Sequence, residues 1–150
     1  MNSPNCLSDS EFRRTMVSFL KARRVAYPLS PESFADLICK NGTYSRETTL
    51  YLVDLFGISM VEQQSTNQHT DIWYARICKG EAQILYPKDR LNIIGDDFES
   101  DNLELEHEFG HLCYWGMMNY FGKLRKKERN YFEENYAWKF AYRLRIGDVR

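Results

Sequence analysis

Two of the chain's three histidines, His107 and His111, stand four residues apart in the stretch LELEHEFGHLCYW, 103–115. On an α-helix that spacing places both imidazoles on one face, so each can aim a ring nitrogen at a single point. Glu108 lies between them in a neighbouring direction, beside such a point rather than on it. The pattern is HExxH, the spacing a catalytic zinc helix requires: two imidazoles hold the ion, and a carboxylate holds and deprotonates the attacking water. The competing reading is an amphipathic helix that merely carries two histidines. Phe109, Gly110, Leu112 and Cys113 are all uncharged, so this helix can be buried around its histidine face. Leu105, Phe109, Leu112 and Gly116 form an apolar stripe at helical period. Asp101 with Glu104 three residues later, after Ser100, reads as a capping box that starts the helix near Asn102.

A catalytic zinc site takes three protein ligands and keeps one position for water. No histidine follows His111, so a third ligand downstream has to be a carboxylate. The candidates are Glu128, Glu133, Glu134 and Asp148. Glu128 sits in a dense basic turn, 123–129, and Asp148 lies beyond the last apolar stripe. Glu133 and Glu134 open YFEENYAWKFAYRL, a predicted helix in which Ala137 and Ala141 share a face with Glu134. Small side chains on that face allow close approach to the histidine helix and aim Glu134 at the metal, with Glu133 rotated by about 100°. A surface pair of glutamates at a helix start explains the same residues equally well.

The elements around this pair are short. Phe12, Met16, Phe19 and Leu20 predict an amphipathic helix from Glu11, with a basic outer face of Arg13, Arg14, Lys21, Arg23 and Arg24 that reads as solvated. Ser30-Pro31 starts a second helix that Asn41-Gly42 stops, and Ser45 starts a third that runs up to Gly57. A helix-turn-helix is not favoured, because the third helix is oily all round and carries only Arg46 as a strong base. At Ile58 the period changes. Residues 58–63, 72–78 and 82–86 read as strands, the last two joined at Lys79-Gly80 in a hairpin. His69, in a polar loop, reads as solvent-exposed, and 88–100 as an acidic connector without the spacing of a calcium loop.

With 150 residues, 43% of them hydrophobic, the chain suits one domain over 11–150 after a flexible terminus, 1–10. Twenty basic against twenty-one acidic residues leave a net charge of -1, so no overall field points to nucleic acid or an acidic membrane. No apolar leader and no run long enough to span a bilayer are seen, and Cys6, Cys39, Cys78 and Cys113 are scattered; a cytoplasmic protein with reduced thiols is the expectation.

HEFGH, followed after a variable segment by Glu134, Ala137, Phe140 and Ala141 in the pattern ExxAxxFA, resembles the ImmA/IrrE family of zinc metallopeptidases, which are of the gluzincin type. The resemblance spans about 45–144. It implies an α+β, zincin-like single domain with N-terminal helices, a small antiparallel sheet with a hairpin, the HExxH helix and a C-terminal glutamate-bearing helix. It also implies Zn2+ held by His107, His111 and Glu134, with Glu108 as the catalytic proton carrier. The activity it implies is hydrolysis of a protein substrate by a cytoplasmic endopeptidase, the substrate being a transcriptional repressor or other regulator in phage, mobile-element or stress-response settings. This chain departs from the family pattern at Trp138, where members carry a small acid or amide, and at 103–106, where they carry an arginine-phenylalanine pair. The alternative is a non-catalytic regulator that keeps the fold and binds a protein partner. Donors to a developing oxyanion could come from Tyr114, Tyr131, Tyr136, Tyr142 or His69.

Overall fold

The computed structural model describes residues 6–23, 30–63, 73–87, 103–118 and 131–146. Among these the chain is α+β: α1 (Asp9–Arg23), α2 (Pro31–Asn41), α3 (Arg46–Leu55), β1 (Ser59–Gln63), β2 (Tyr74–Cys78), β3 (Glu81–Pro87), α4 (Glu104–Met117) and α5 (Tyr131–Ile146). The polar loop with His69, the connector with Asp96, Asp97 and Glu99, the basic turn with Glu128, and Asp148 all lie outside the described residues.

Local chemistry explains most boundaries. Helix α1 begins two residues before Glu11, because Ser8 accepts the Glu11 N–H at 3.2 Å while its own hydroxyl donates to the Glu11 carboxylate at 3.0 Å. Leu7, inside the expected flexible terminus, is buried. Ser30 and Ser45 cap α2 and α3 by accepting from Ser33 and Thr48, each at 3.1 Å. Lys79 and Gly80 both take positive φ, 53° and 79°, which makes the hairpin a tight primed turn whose twist matches its strands.

Two expectations are corrected. The sheet is mixed, not antiparallel: its order is β1-β3-β2, with β2 antiparallel to β3 but β1 parallel to it. Strand β3 thus occupies the centre, and its Ala82 and Ile84 are fully buried. The second correction concerns the start of α4. Leu103, in a left-handed conformation at φ 53°, holds the cap position, and no side chain caps the helix there, so the expected capping box does not form among the described residues. Asp101 lies outside them. Burial fixes Leu103 instead, since it is 1% exposed and its carbonyl accepts the His107 N–H at 2.9 Å.

The core is aromatic and joins four helices. Phe19 stacks on Phe56 at 5.5 Å, Phe56 meets Phe109 edge-on at 5.2 Å, and Phe109 meets Phe140 edge-on at 5.7 Å. Each such contact adds about 0.5–1.5 kcal/mol to the area it buries. Phe109 therefore fixes the back of α4 against α1, α3 and α5. Arg13 bonds Asp36 at 2.5 Å and Lys21 bonds Glu32 at 2.9 Å, so part of the basic face of α1 is spent on α2.

Helix α5 is held at its far end by the loop after α2. There the Thr43 and Tyr44 N–H groups donate to the carbonyls of Leu144 and Arg145 at 2.8 and 3.1 Å, satisfying acceptors that a helix end leaves over. No disulfide joins Cys6, Cys39, Cys78 and Cys113. Among the described residues no helix is long and apolar enough to cross a membrane.

Candidate metal centre

Helices α4 and α5 can touch because Gly110 lacks a side chain. A Cβ there would lie 3.0 Å from the Ala137 carbonyl oxygen, 3.2 Å from the Ala137 Cα and 3.1 Å from the Phe140 ring. Ala137 and Ala141 are both fully buried at this contact, which is the close approach that their spacing from Glu134 leads one to expect. Gly110 sits between His107 and His111 in sequence. The glycine that brings the helices together is therefore part of the histidine motif itself.

One turn on, the polar side chains converge. The Nε2 atoms of His107 and His111 are 2.9 Å apart. Glu134 places Oε2 3.0 Å from the first and Oε1 3.1 Å from the second. Three donor groups from two helices thus form a triangle with edges near 3 Å. A tetrahedral ion bonded at about 2.0–2.1 Å would set its ligands roughly 3.3 Å apart, so the triangle matches that demand within a few tenths of an ångström. Two imidazoles and a carboxylate are also the donor types such a site uses. A carboxylate oxygen of Glu108 lies within 4.8 Å of both histidine nitrogens, and His107, Glu108 and His111 together could hold a metal ion. The group is deep: His111 is fully buried, His107 is 5% and Glu108 6% exposed. The Glu134 side chain is 38% exposed and marks the open side.

No protein-family model, curated protein or solved structure matches this chain. What the site can do rests on the geometry of its own side chains.

Glu133 is the residue whose place the sequence conceals. It is not turned aside. Its Oε2 lies 2.6 Å from His111 Nδ1 and also accepts the Trp115 indole N–H at 2.9 Å. Two consecutive glutamates on α5 point about 100° apart, and the His111 ring sits between them, Glu133 at one nitrogen and Glu134 at the other. A hint was available in the repeat His107, His111, Trp115, which puts an indole N–H on the histidine face. On the other flank the Trp138 ring packs edge-on against His107 with centroids 4.0 Å apart. Trp138 thus builds an aromatic wall beside the first histidine.

Behind the site, Glu106 and Arg145 form an ion pair at 3.2 Å with both side chains fully buried. It ties the residue before His107 to the end of α5. The tyrosines divide. Tyr136 exchanges a hydrogen bond with Thr15 on α1 and Tyr114 packs on its ring at 5.1 Å, so both belong to the helix packing. Burial raises the Tyr136 hydroxyl above its ordinary pKa, against the lowering effect of the Thr15 hydrogen bond. Tyr131 is largely exposed at the start of α5, and His69 lies outside the described residues.

Proposed function

We propose that this chain is a zinc-dependent endopeptidase of the ImmA/IrrE, gluzincin kind, working in the cytoplasm on a regulator such as a transcriptional repressor. The observation that supports it best is the triangle of His107 Nε2, His111 Nε2 and the Glu134 carboxylate, with Glu108 beside it. Buried acids and imidazoles packed this tightly are costly to fold around, and such clusters are characteristic of functional sites.

His107, His111 and Glu134 would hold the ion. Zinc, when bound, supplies a Lewis acid that polarises the scissile carbonyl and brings the pKa of a water down to about 7. Glu108 does the proton work. Its carboxylate takes a proton as water oxygen bonds to the peptide carbonyl carbon, and returns it to the amide nitrogen as the C–N bond breaks. The Trp138 and Trp115 rings restrict the histidines to the orientation in which both Nε2 atoms face Glu134. The open side at Glu134 is where a peptide would enter, and Tyr131 and Phe132 on the first turn of α5 are exposed.

The same exposed aromatics favour the second reading, a regulator that binds a protein partner without cutting it. Incubation of the zinc-loaded chain with a degenerate peptide library, read by mass spectrometry, separates the two. New peptide termini with the wild type and none with Glu108→Gln support the peptidase. An intact library with both proteins, or equal cleavage by both, contradicts it.

A further inference from the structure

Building on the metal reading above, we infer that Glu133 and Trp115 form a clamp that sets the tautomer of His111, and that Glu133 is thereby a positioning residue for the metal. A carboxylate offers only acceptors and an indole N–H only donates. Glu133 Oε2 therefore accepts the Trp115 N–H at 2.9 Å and must also accept from His111 Nδ1 at 2.6 Å. That places an imidazole proton on Nδ1, so Nε2, which faces His107 and Glu134, is the nitrogen an ion between them would take. The other tautomer would put an N–H where the ion has to sit.

The clamp also limits movement. Trp115 lies one turn beyond His111 on α4, so its indole fixes the Glu133 carboxylate from the same helix that carries the histidine, while Glu133 itself comes from α5. With Glu133 4% and His111 0% exposed, water is a poor substitute for either bond. Hydrogen bonds of this kind orient a ligand, raise its basicity and are worth about 10–100-fold in metal affinity.

Two readouts test it: zinc affinity by competition with a chelating indicator, and histidine tautomers by long-range ¹H–¹⁵N correlation in metal-free protein. In the wild type the His111 ring carries a proton on Nδ1. Glu133→Ala shifts it towards the Nε2–H form that imidazole prefers in water and weakens zinc about 10–100-fold. Should Glu133→Ala not fold, the isosteric Glu133→Gln carries the affinity comparison, with a loss of about tenfold. Trp115→Phe keeps the tautomer and weakens zinc less. Zinc affinity within twofold of wild type in the folded Glu133 variants, or an unchanged tautomer in Glu133→Ala, overturns the clamp. A wild type that takes no zinc defeats the metal reading, while the tautomer still judges the clamp.

Discussion

Two groups of titratable side chains meet where α4 packs on α5, and they are built on different principles. Glu106 and Arg145 are a matched pair: one acid, one base, both fully buried and in contact. One residue along α4, the second group gathers His107 and His111 with the carboxylates of Glu108, Glu133 and Glu134. The first group neutralises itself. In the second, His107, His111 and Glu134 aim donor atoms at one point, with Glu108 beside it and Glu133 behind the His111 ring, an arrangement suited to a cation. Folding alone accounts for an ion pair, whereas His107, Glu108 and His111 of the second group could hold a metal ion.

The difference can be attacked by substitution. If the second group is a catalytic metal site, Glu108→Gln has the largest effect on function and nearly none on folding: peptide cleavage falls by about 10²–10⁴-fold, while zinc content and the melting temperature stay at wild-type values. At the matched pair the prediction is reversed. Glu106→Gln leaves the Arg145 guanidinium buried against a neutral amide and lowers the unfolding free energy by about 3–5 kcal/mol in urea titrations. Replacing both partners, Glu106→Leu with Arg145→Met, recovers most of that loss. The double variant should still gain about 2.7 kcal/mol from zinc at a hundred times its Kd, since the ligands are untouched.

Gly110→Ala probes the contact that both groups share. The added methyl group meets the Ala137 backbone, which cannot swing away as a side chain would. A stability loss of about 1–3 kcal/mol is expected, together with weaker zinc binding as α5 carries Glu134 outward. The smallest effect is a matter of pH. Burial raises the Cys113 thiol well above its ordinary value of 9.0, and it raises Tyr136 as well. The folded chain therefore keeps protons that the unfolded chain gives up, so this stability is intact below about pH 9 and declines as the pH rises beyond it. Chemical denaturation at pH 8 and pH 10 should show the decline, and Cys113→Ala should flatten it.

The parts of the molecule that follow from local spacing were legible in the sequence. A spacing of four positions from His107 to His111 fixes two rings on one helix face, and Ser30-Pro31 and Ser45 start helices for reasons of hydrogen bonding alone. Ala137 and Ala141 announced a close helix contact on the side of Glu134, and the structure brings that carboxylate to both imidazoles. What stayed hidden depends on partners remote in the chain. The parallel pairing of β1 with β3 joins Ser59–Gln63 to Gln83–Pro87, and neither strand's composition names its partner. Glu133 gains its place only because a ring from another helix is inserted between it and Glu134. The Glu106–Arg145 pair spans 39 residues, and nothing in either segment alone names the other. Ser8, by contrast, stood in the open: Ser8 and Glu11 have the spacing of a capping box.

The proposed activity, and the role of the His111 clamp in metal affinity, rest on one metal ion held between α4 and α5 by His107, His111 and Glu134, and zinc analysis of the purified chain tests that most directly. Elemental analysis after dialysis should give one zinc per wild-type chain and none in Glu134→Ala, whose fold is checked by circular dichroism. A wild type without metal, or a Glu134→Ala protein that still carries a full equivalent, would contradict it.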